Sequence, residues 1–165
     1  MSYLVIIDDA GGGPVETLVD RTTGTNIGNM TLGGGLAAVF DGTTNQTAAA
    51  GAGKSASPGY VGKTHAAGKA ISKIIVHGSN NVGYVNTGTT TSVTITLYAK
   101  NGVPASATDG TSLGSITFNQ SATNESAGRT ITSSDQVTTY TNYWAYVNGG
   151  ANSTYFVELV AYEMI

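Results

Sequence analysis

Apolar residues in this chain recur at every second position rather than every third or fourth, and that period constrains the architecture more than any other feature. In SVTITLYAK, Val93, Ile95 and Leu97 fall on one side and Thr94, Thr96 and Tyr98 on the other. A β-strand turns successive side chains to opposite faces, so such a segment reads as a strand with one buried face. AISKIIVHG sets Ile71, Lys73, Ile75 and His77 against Ser72, Ile74 and Val76. TYTNYWAYVN and TYFVELVAYEMI are rich in the aromatic and β-branched residues that strands favour, and SLGSITFNQ and SYLVIID supply two more. Clusters of Gly, Asn, Ser or Pro bound each segment and mark turns. Only GLAAVFDG, with Leu36 to Asp41, has the character of a short helix of one or two turns. Many short strands with almost no helix predict a β-sandwich.

A chain of 165 residues closes a core of its own as one domain, and without cysteine it has neither disulfides nor thiolate metal ligands. The first thirty residues are patterned differently from the rest, with an apolar strand at Tyr3–Ile7, the hinge AGGGP, then VETLVDRTTGTNIGNM. They read as an N-terminal extended arm or added edge strand, residues 1–30, ahead of a sandwich at 31–165. The tract TTNQTAAAGAGKSASPG is expected to be a long surface loop. Charged residues make up 10% of the chain, and the seven Lys and Arg are scattered at a net charge of −3, which excludes a nucleic-acid footprint. No segment has the length and apolarity of a membrane span, so no membrane insertion is expected. MSYLVIIDD lacks the basic start and long apolar core of a signal peptide, so synthesis in the host cytoplasm without export is expected. Hydroxyls and amides replace charge on such a surface, a trait of β proteins in assemblies that leave a cell by lysis, virions among them.

Four sets of residues are candidates for chemistry. Gly53-Lys54-Ser55 imitates part of a phosphate-binding loop, but the glycine needed five residues earlier is Ala48, and neither the preceding strand nor the following helix is present. His65 and His77 have no metal spacing and no partners that spacing could nominate for catalysis, so they read as scaffold. Glu158 is the odd residue of the near-apolar strand YFVELVAY. A buried carboxylate is costly unless satisfied, so Glu158 either faces outward at a sheet edge or closes onto a cation or a ring of backbone N–H groups. Tyr84, in the polar stretch GSNNVGYVNTGTTT, is a candidate platform for a sugar or protein partner, with the amides of Asn80 and Asn81 beside it. Tyr98, Trp144, Tyr146 and Phe156 lie in strands, as core or sheet face.

Taken together, LAAVFDGTTNQT, GYVGKTHAAGKAISKIIVHGSN, VTITLYAKNG, YWAYVNGG and YFVELVAYE resemble the galactose-binding-like (discoidin-like) jelly roll over about Leu36 to Glu163. The resemblance implies an all-β jelly-roll sandwich that binds glycans, lipid headgroups or protein surfaces through loops at one end. It also implies a structural Ca2+, with Asp41 and Glu158 as acid ligands and the loop oxygens of Thr44 and Thr47 between them. The family's aromatic after the Asp-Gly-Thr stretch is replaced here by AAAGAG, and its cysteine pair is absent. The resulting expectation is a non-enzymatic virion protein, a phage capsid decoration, fibre or tail component. It would be located on the virion, self-associate or join other virion proteins, and offer a cell-surface glycan site. The alternative is a free bacterial carbohydrate-binding module.

Overall fold

A computed structural model describes residues 13–56 and 58–165; the expected strand Tyr3–Ile7 lies outside them. Among the described residues twelve strands run in the order β1 (Glu16–Leu18), β2 (Thr25–Gly28), β3 (Leu32–Gly33), β4 (Ala52–Lys54), β5 (Gly59–Lys69), β6 (Ile71–His77), β7 (Thr91–Lys100), β8 (Thr111–Gln120), β9 (Arg129–Thr132), β10 (Tyr140–Val147), β11 (Thr154–Phe156) and β12 (Glu158–Met164). One 3-10 helix among the described residues, Leu36–Phe40, separates β3 from β4. The strands form a four-stranded sheet β1-β12-β6-β9, a five-stranded sheet β2-β5-β10-β7-β8 and a small sheet β11-β4-β3. Every pairing is antiparallel. Among the described residues β1 and β2 are edge strands of the two large sheets, and since β8 and β9 meet at the far edges, residues 16–28 run along one side of the sandwich.

The alternation read from the sequence places the core. Val93, Ile95 and Leu97 of β7 and Tyr143, Ala145 and Val147 of β10 face Ile74 and Val76 of β6 and Leu159 and Ala161 of β12, all within one apolar cluster. One expectation changes. The tract read as a surface loop contains β4, whose Ala52 is buried. Its small residues allow close approach: a Cβ on Gly51 would lie 2.7 Å from the Val157 side chain. The Gly53-Lys54-Ser55 stretch therefore ends a paired strand, opposite β11 and β3, and cradles no phosphate.

The registers gather one set of chain ends together. Glu158 lies opposite His77, Val76 opposite Arg129, Thr91 opposite Gln120, and Val147 opposite both Gly59 and Ile95. The loops at residues 78–90, 121–128 and 148–153 consequently emerge at one end of the sandwich. The turn after the 3-10 helix joins them, because the Asn80 N–H donates to the Gln46 carbonyl at 2.8 Å.

Candidate functional site at the loop-bearing end

Glu158 begins β12 on the same side as Val160 and Tyr162, opposite the core residues Leu159 and Ala161. That side would be solvent at a bare sheet, yet Glu158 is 0% exposed. Its cover is the turn that follows the 3-10 helix. Val39 and Phe40 sink into the core and hold the helix down, and Asp41 caps it with φ −91° and ψ −10°. Gly42 then takes φ +88°, a conformation that costs other residues strain, and its N–H donates to Glu158 Oε2 at 3.0 Å. The reading of Glu158 as an exposed edge charge is thus corrected: the carboxylate is covered and closes onto backbone N–H.

The closure is incomplete. Oε1 of Glu158 is buried without a hydrogen-bond partner among the described residues. Burial pushes the carboxyl pKa up to about 7; the Gly42 N–H opposes the rise, the neighbouring Asp41 charge adds to it, and Arg21 lowers it. Beside Glu158 lies a cavity of ≈ 390 Å³, walled by Leu18, Val19, Arg21, Phe40 and Tyr143.

The four residues expected to hold a cation are only partly assembled. The Asp41 carboxylate is turned to its own loop, where Oδ1 accepts the Thr43 N–H at 2.8 Å and Gln46 Nε2 reaches both oxygens at 3.2 and 3.1 Å. Thr44 and Thr47 are exposed, and Thr47 gives its carbonyl to the N–H groups of Ala50 and Gly51. Among the described residues no group of three or more His, Asp or Glu is placed to hold a metal. The orphaned oxygen of Glu158 fits a cation; the side chain of Asp41 would first have to release Gln46.

Tyr84 is a correction. It is 0% exposed, its hydroxyl donates to the Val76 carbonyl at 2.7 Å, and its ring meets the edges of Phe118 and Phe156 at 5.4 and 6.0 Å. Burial pushes its hydroxyl pKa up. A ring enclosed in this way offers no platform to a ligand. Its polar sequence neighbours mislead because the backbone there is satisfied by a distant side chain: buried Gln120 accepts the N–H groups of Tyr84 and Val85 at 2.9 and 3.0 Å. Asn80 and Asn81 remain at the surface of the loop end. Asn80 Nδ2 donates to Asn45 Oδ1 at 2.9 Å, and Asn81 Oδ1 accepts the Ala48 N–H at 2.9 Å, so the two amides tie the loops to each other.

An open groove of ≈ 550 Å³ on the same end has no counterpart in the sequence reading. Asn119, Ser121, Asn124, Ser126 and Arg129 line it, and Glu125 fixes the arginine with bonds of 3.2 Å to Nε and 2.7 Å to Nη2. The Asn-Gln-Ser and Asn-Glu-Ser stretches there carry no signal beyond composition. The histidines behave as scaffold: His65 is buried against Tyr143 with ring centroids 5.7 Å apart, and His77 Nδ1 bonds the Ser126 carbonyl at 2.8 Å. Burial and the nearby Lys69 and Lys63 charges lower the His65 pKa. Lys63 has no distinguishing sequence signal either; it is buried on the inner side of β5, with Nζ on the Thr23 carbonyl at 2.9 Å and Asn26 Oδ1 at 3.0 Å.

Comparison with known proteins finds no matching family model and no matching curated protein. The architecture, in contrast, is shared with solved structures. The family 32 carbohydrate-binding module of NanJ from C. perfringens, solved with galactose, superposes with a TM-score of 0.60 over 90% of this chain and 100% of its own, at 17% identity. A fucolectin from striped bass (Morone saxatilis) serum gives a TM-score of 0.63 over 89% of this chain and 49% of its own, at 11% identity, so this chain spans about half of it. A fucose-binding module from Streptococcus pneumoniae gives 0.55 over 88% and 98%, at 11% identity. The chain has the galactose-binding-like jelly-roll fold. By their descriptions these structures are two carbohydrate-binding modules and a lectin, and at 11–17% identity what this chain shares with them is the fold.

Proposed function

We propose that this chain is a non-catalytic carbohydrate-binding module that takes a neutral glycan at its loop-bearing end. The observation that carries the reading is the jelly-roll fold itself, shared over about nine-tenths of the chain with modules described as binding galactose or fucose. The surface chemistry supports it. Thr43, Thr44, Asn45, Thr47 and Asn81 are exposed at this end, and the groove beside them presents amides, hydroxyls and one positioned guanidinium. Sugars are recognised by convergent neutral donors and acceptors of this kind in a shallow concavity. A structural Ca2+ at Glu158 belongs to the same proposal, with Asp41 and the oxygens of Thr44 and Thr47 completing its shell. Its role would be to pin the turn after the 3-10 helix to β12, since calcium accepts six to eight oxygens with loose geometry.

The test is a glycan array probed with the intact chain, with galactose and fucose as competing sugars. Retention by defined glycans, weakened by Asn81→Ala and Arg129→Ala without loss of folding, is the expected result. A chain that is folded but retained by no glycan sinks the reading.

A further inference from the structure

The outer face of the five-stranded sheet, which runs from the groove-lining Asn119 on β8 across to β5, carries the molecule's other concentration of unassigned chemistry. The inner residues of β5, β10 and β7 belong to the core cluster, Val61, Tyr143, Ala145, Val147 and Ile95 among them. Tyr60, Trp144, Tyr146 and Tyr98 alternate with these and therefore lie on the opposite face. Their rings form a continuous strip across three neighbouring strands: Tyr60 to Trp144 at 6.4 Å, Trp144 to Tyr98 at 5.8 Å, and Tyr98 to Tyr146 at 6.1 Å between centroids. Trp144 is fully buried, covered on this face by the connection from β7 to β8, where a Cβ on Gly110 would lie 2.6 Å from Cη2, while the three tyrosines are half-buried.

We infer that this aromatic strip is a second carbohydrate contact, taking an extended stretch of a neutral polysaccharide chain. The inference rests on the glycan-binding reading and assigns it a surface that the loop end does not include.

Two features favour that occupant. The face around the strip is hydroxyl-bearing: Thr94, Thr96, Ser115 and Thr117 continue it across β7 and β8, with the Thr94 and Thr117 hydroxyls 2.8 Å apart. Such a surface exchanges hydrogen bonds with sugar hydroxyls while the tyrosine rings meet the apolar C–H side of a pyranose. The second feature is charge. Lys100 at the end of β7 is spent on Asp109 at 2.6 Å, which leaves little to attract an ionic partner. From β5 to β7 the strip spans two strand spacings, ~10 Å, the reach of a pair of linked sugar rings.

The strip is also held in place. Trp144 Nε1 donates to the Ala107 carbonyl at 2.7 Å, and Gly62 leaves the indole its room, since a Cβ there would lie 2.5 Å from the Trp144 Cβ. Rings fixed before the ligand arrives lose little rotamer freedom on binding.

Trp144 is the only tryptophan of the chain and lies under this face, so it reports on occupancy directly. The experiment is native affinity electrophoresis of the intact chain in gels of galactomannan, arabinoxylan or mixed-linkage β-glucan, paired with a fluorescence titration by the same polymers. Retardation in at least one polymer, with a saturating change in Trp144 emission at the same concentrations, is expected. Tyr60→Ala and Tyr146→Ala should each weaken both signals about tenfold, and Tyr146→Phe should retain most of the binding. Circular dichroism confirms that each variant is folded; if Tyr60→Ala is not, Tyr60→Phe and Tyr146→Ala carry the test. Retardation without a fluorescence change, unaffected by the tyrosine variants and lost in Asn81→Ala or Arg129→Ala, overturns the strip and leaves the loop-end reading standing. Retardation in no polymer, with the same chain retained on a glycan array, also overturns the strip alone. Failure of both assays overturns the glycan reading itself. Sedimentation showing a dimer that Tyr146→Ala dissolves would assign the face to a second copy of the chain and overturn the inference.

Discussion

Two carboxylates are buried at the same end of the sandwich, and they are satisfied very differently. Glu125 is 5% exposed; Oε1 accepts the Ser121 N–H at 2.6 Å and Oε2 takes two bonds from Arg129. Its backbone also closes the loop, donating to the Ser79 carbonyl and accepting from the Gly78 N–H. Glu158 is more deeply buried, yet it has one N–H of Gly42 on Oε2 and nothing among the described residues on Oε1. The contrast shows that burial alone does not mark a functional acid. What matters is the capacity left over after the protein has made its own bonds. Glu125 has spent its capacity on holding the groove wall, whereas Glu158 retains an oxygen for a proton or a cation.

The largest expected effect comes from breaking the closed site. Glu125→Ala strips the Ser121 N–H and Arg129 of their acceptor. Removing one partner of a buried pair costs roughly 3–5 kcal/mol, and because the Arg129 side chain is 37% exposed to water we expect the low end, about 3 kcal/mol. Urea unfolding measures it. A loss under about 1 kcal/mol would mean that the pair is a surface ornament and that the comparison fails.

The open site should respond in the opposite sense. The Glu158 pKa is raised from 4.5 to about 7, so the folded state holds its proton more tightly than the unfolded chain does. Stability linked to this proton is full below pH ~4.5 and is lost as pH rises through about 7. The full shift corresponds to about 3 kcal/mol, and relaxation of the site reduces what is felt. In chelator at pH 8, Glu158→Gln should therefore be more stable than the wild type by about 2 kcal/mol. The advantage should vanish near pH 4. With millimolar Ca2+ the order should reverse, because a cation on the carboxylate stabilises the wild type by mass action and the amide cannot replace that charge. Thermal melts at the two pH values, with and without Ca2+, give the answer; a wild type indifferent to both Ca2+ and chelator removes the cation and leaves the proton.

How far these sites can be read from the sequence follows from what period-two patterning encodes. β6, β7 and β8 are legible because each presents an apolar side, and β10, buried on both sides in its middle, is legible from its aromatic and β-branched content instead. β9 is not, since the four residues RTIT bury only Ile131 and are too short to show a period. Alternation also identifies the side a residue faces without identifying what covers it. Glu158 is assigned to the outer side of β12 by the pattern, but its cover is Gly42, 116 positions away in the chain. Tyr84 is misread for the same reason: its polar neighbourhood looks like surface until Gln120, 36 positions on, supplies the bonds that allow it to be buried. The outer aromatic strip lies in plain view in the strands, but its continuity across β5, β10 and β7 needs the register.

The smallest effect sharpens the comparison most, because it asks whether Asp41 is part of the Glu158 site or only the cap of its own turn. Asp41→Asn keeps an oxygen for the Thr43 N–H and gives up one acceptor for Gln46, so stability should change by only a few tenths of a kcal/mol. The electrostatic consequence is separate. The Asp41 charge is among the causes that raise the Glu158 pKa, after burial, and neutralising it should shift the pH-dependent loss of stability to a lower pH. Melting curves collected from pH 4 to 9 in chelator would show the midpoint displaced with the low-pH plateau unchanged. An unmoved midpoint would show that water screens the two acids from each other, and Asp41 would then be a capping residue alone. The same variant separates the two roles in Ca2+. If Asp41 releases Gln46 to join the shell, the stabilisation by Ca2+ should fall in Asp41→Asn; if Glu158 and the loop carbonyls hold the cation without it, the Ca2+ response should match that of the wild type.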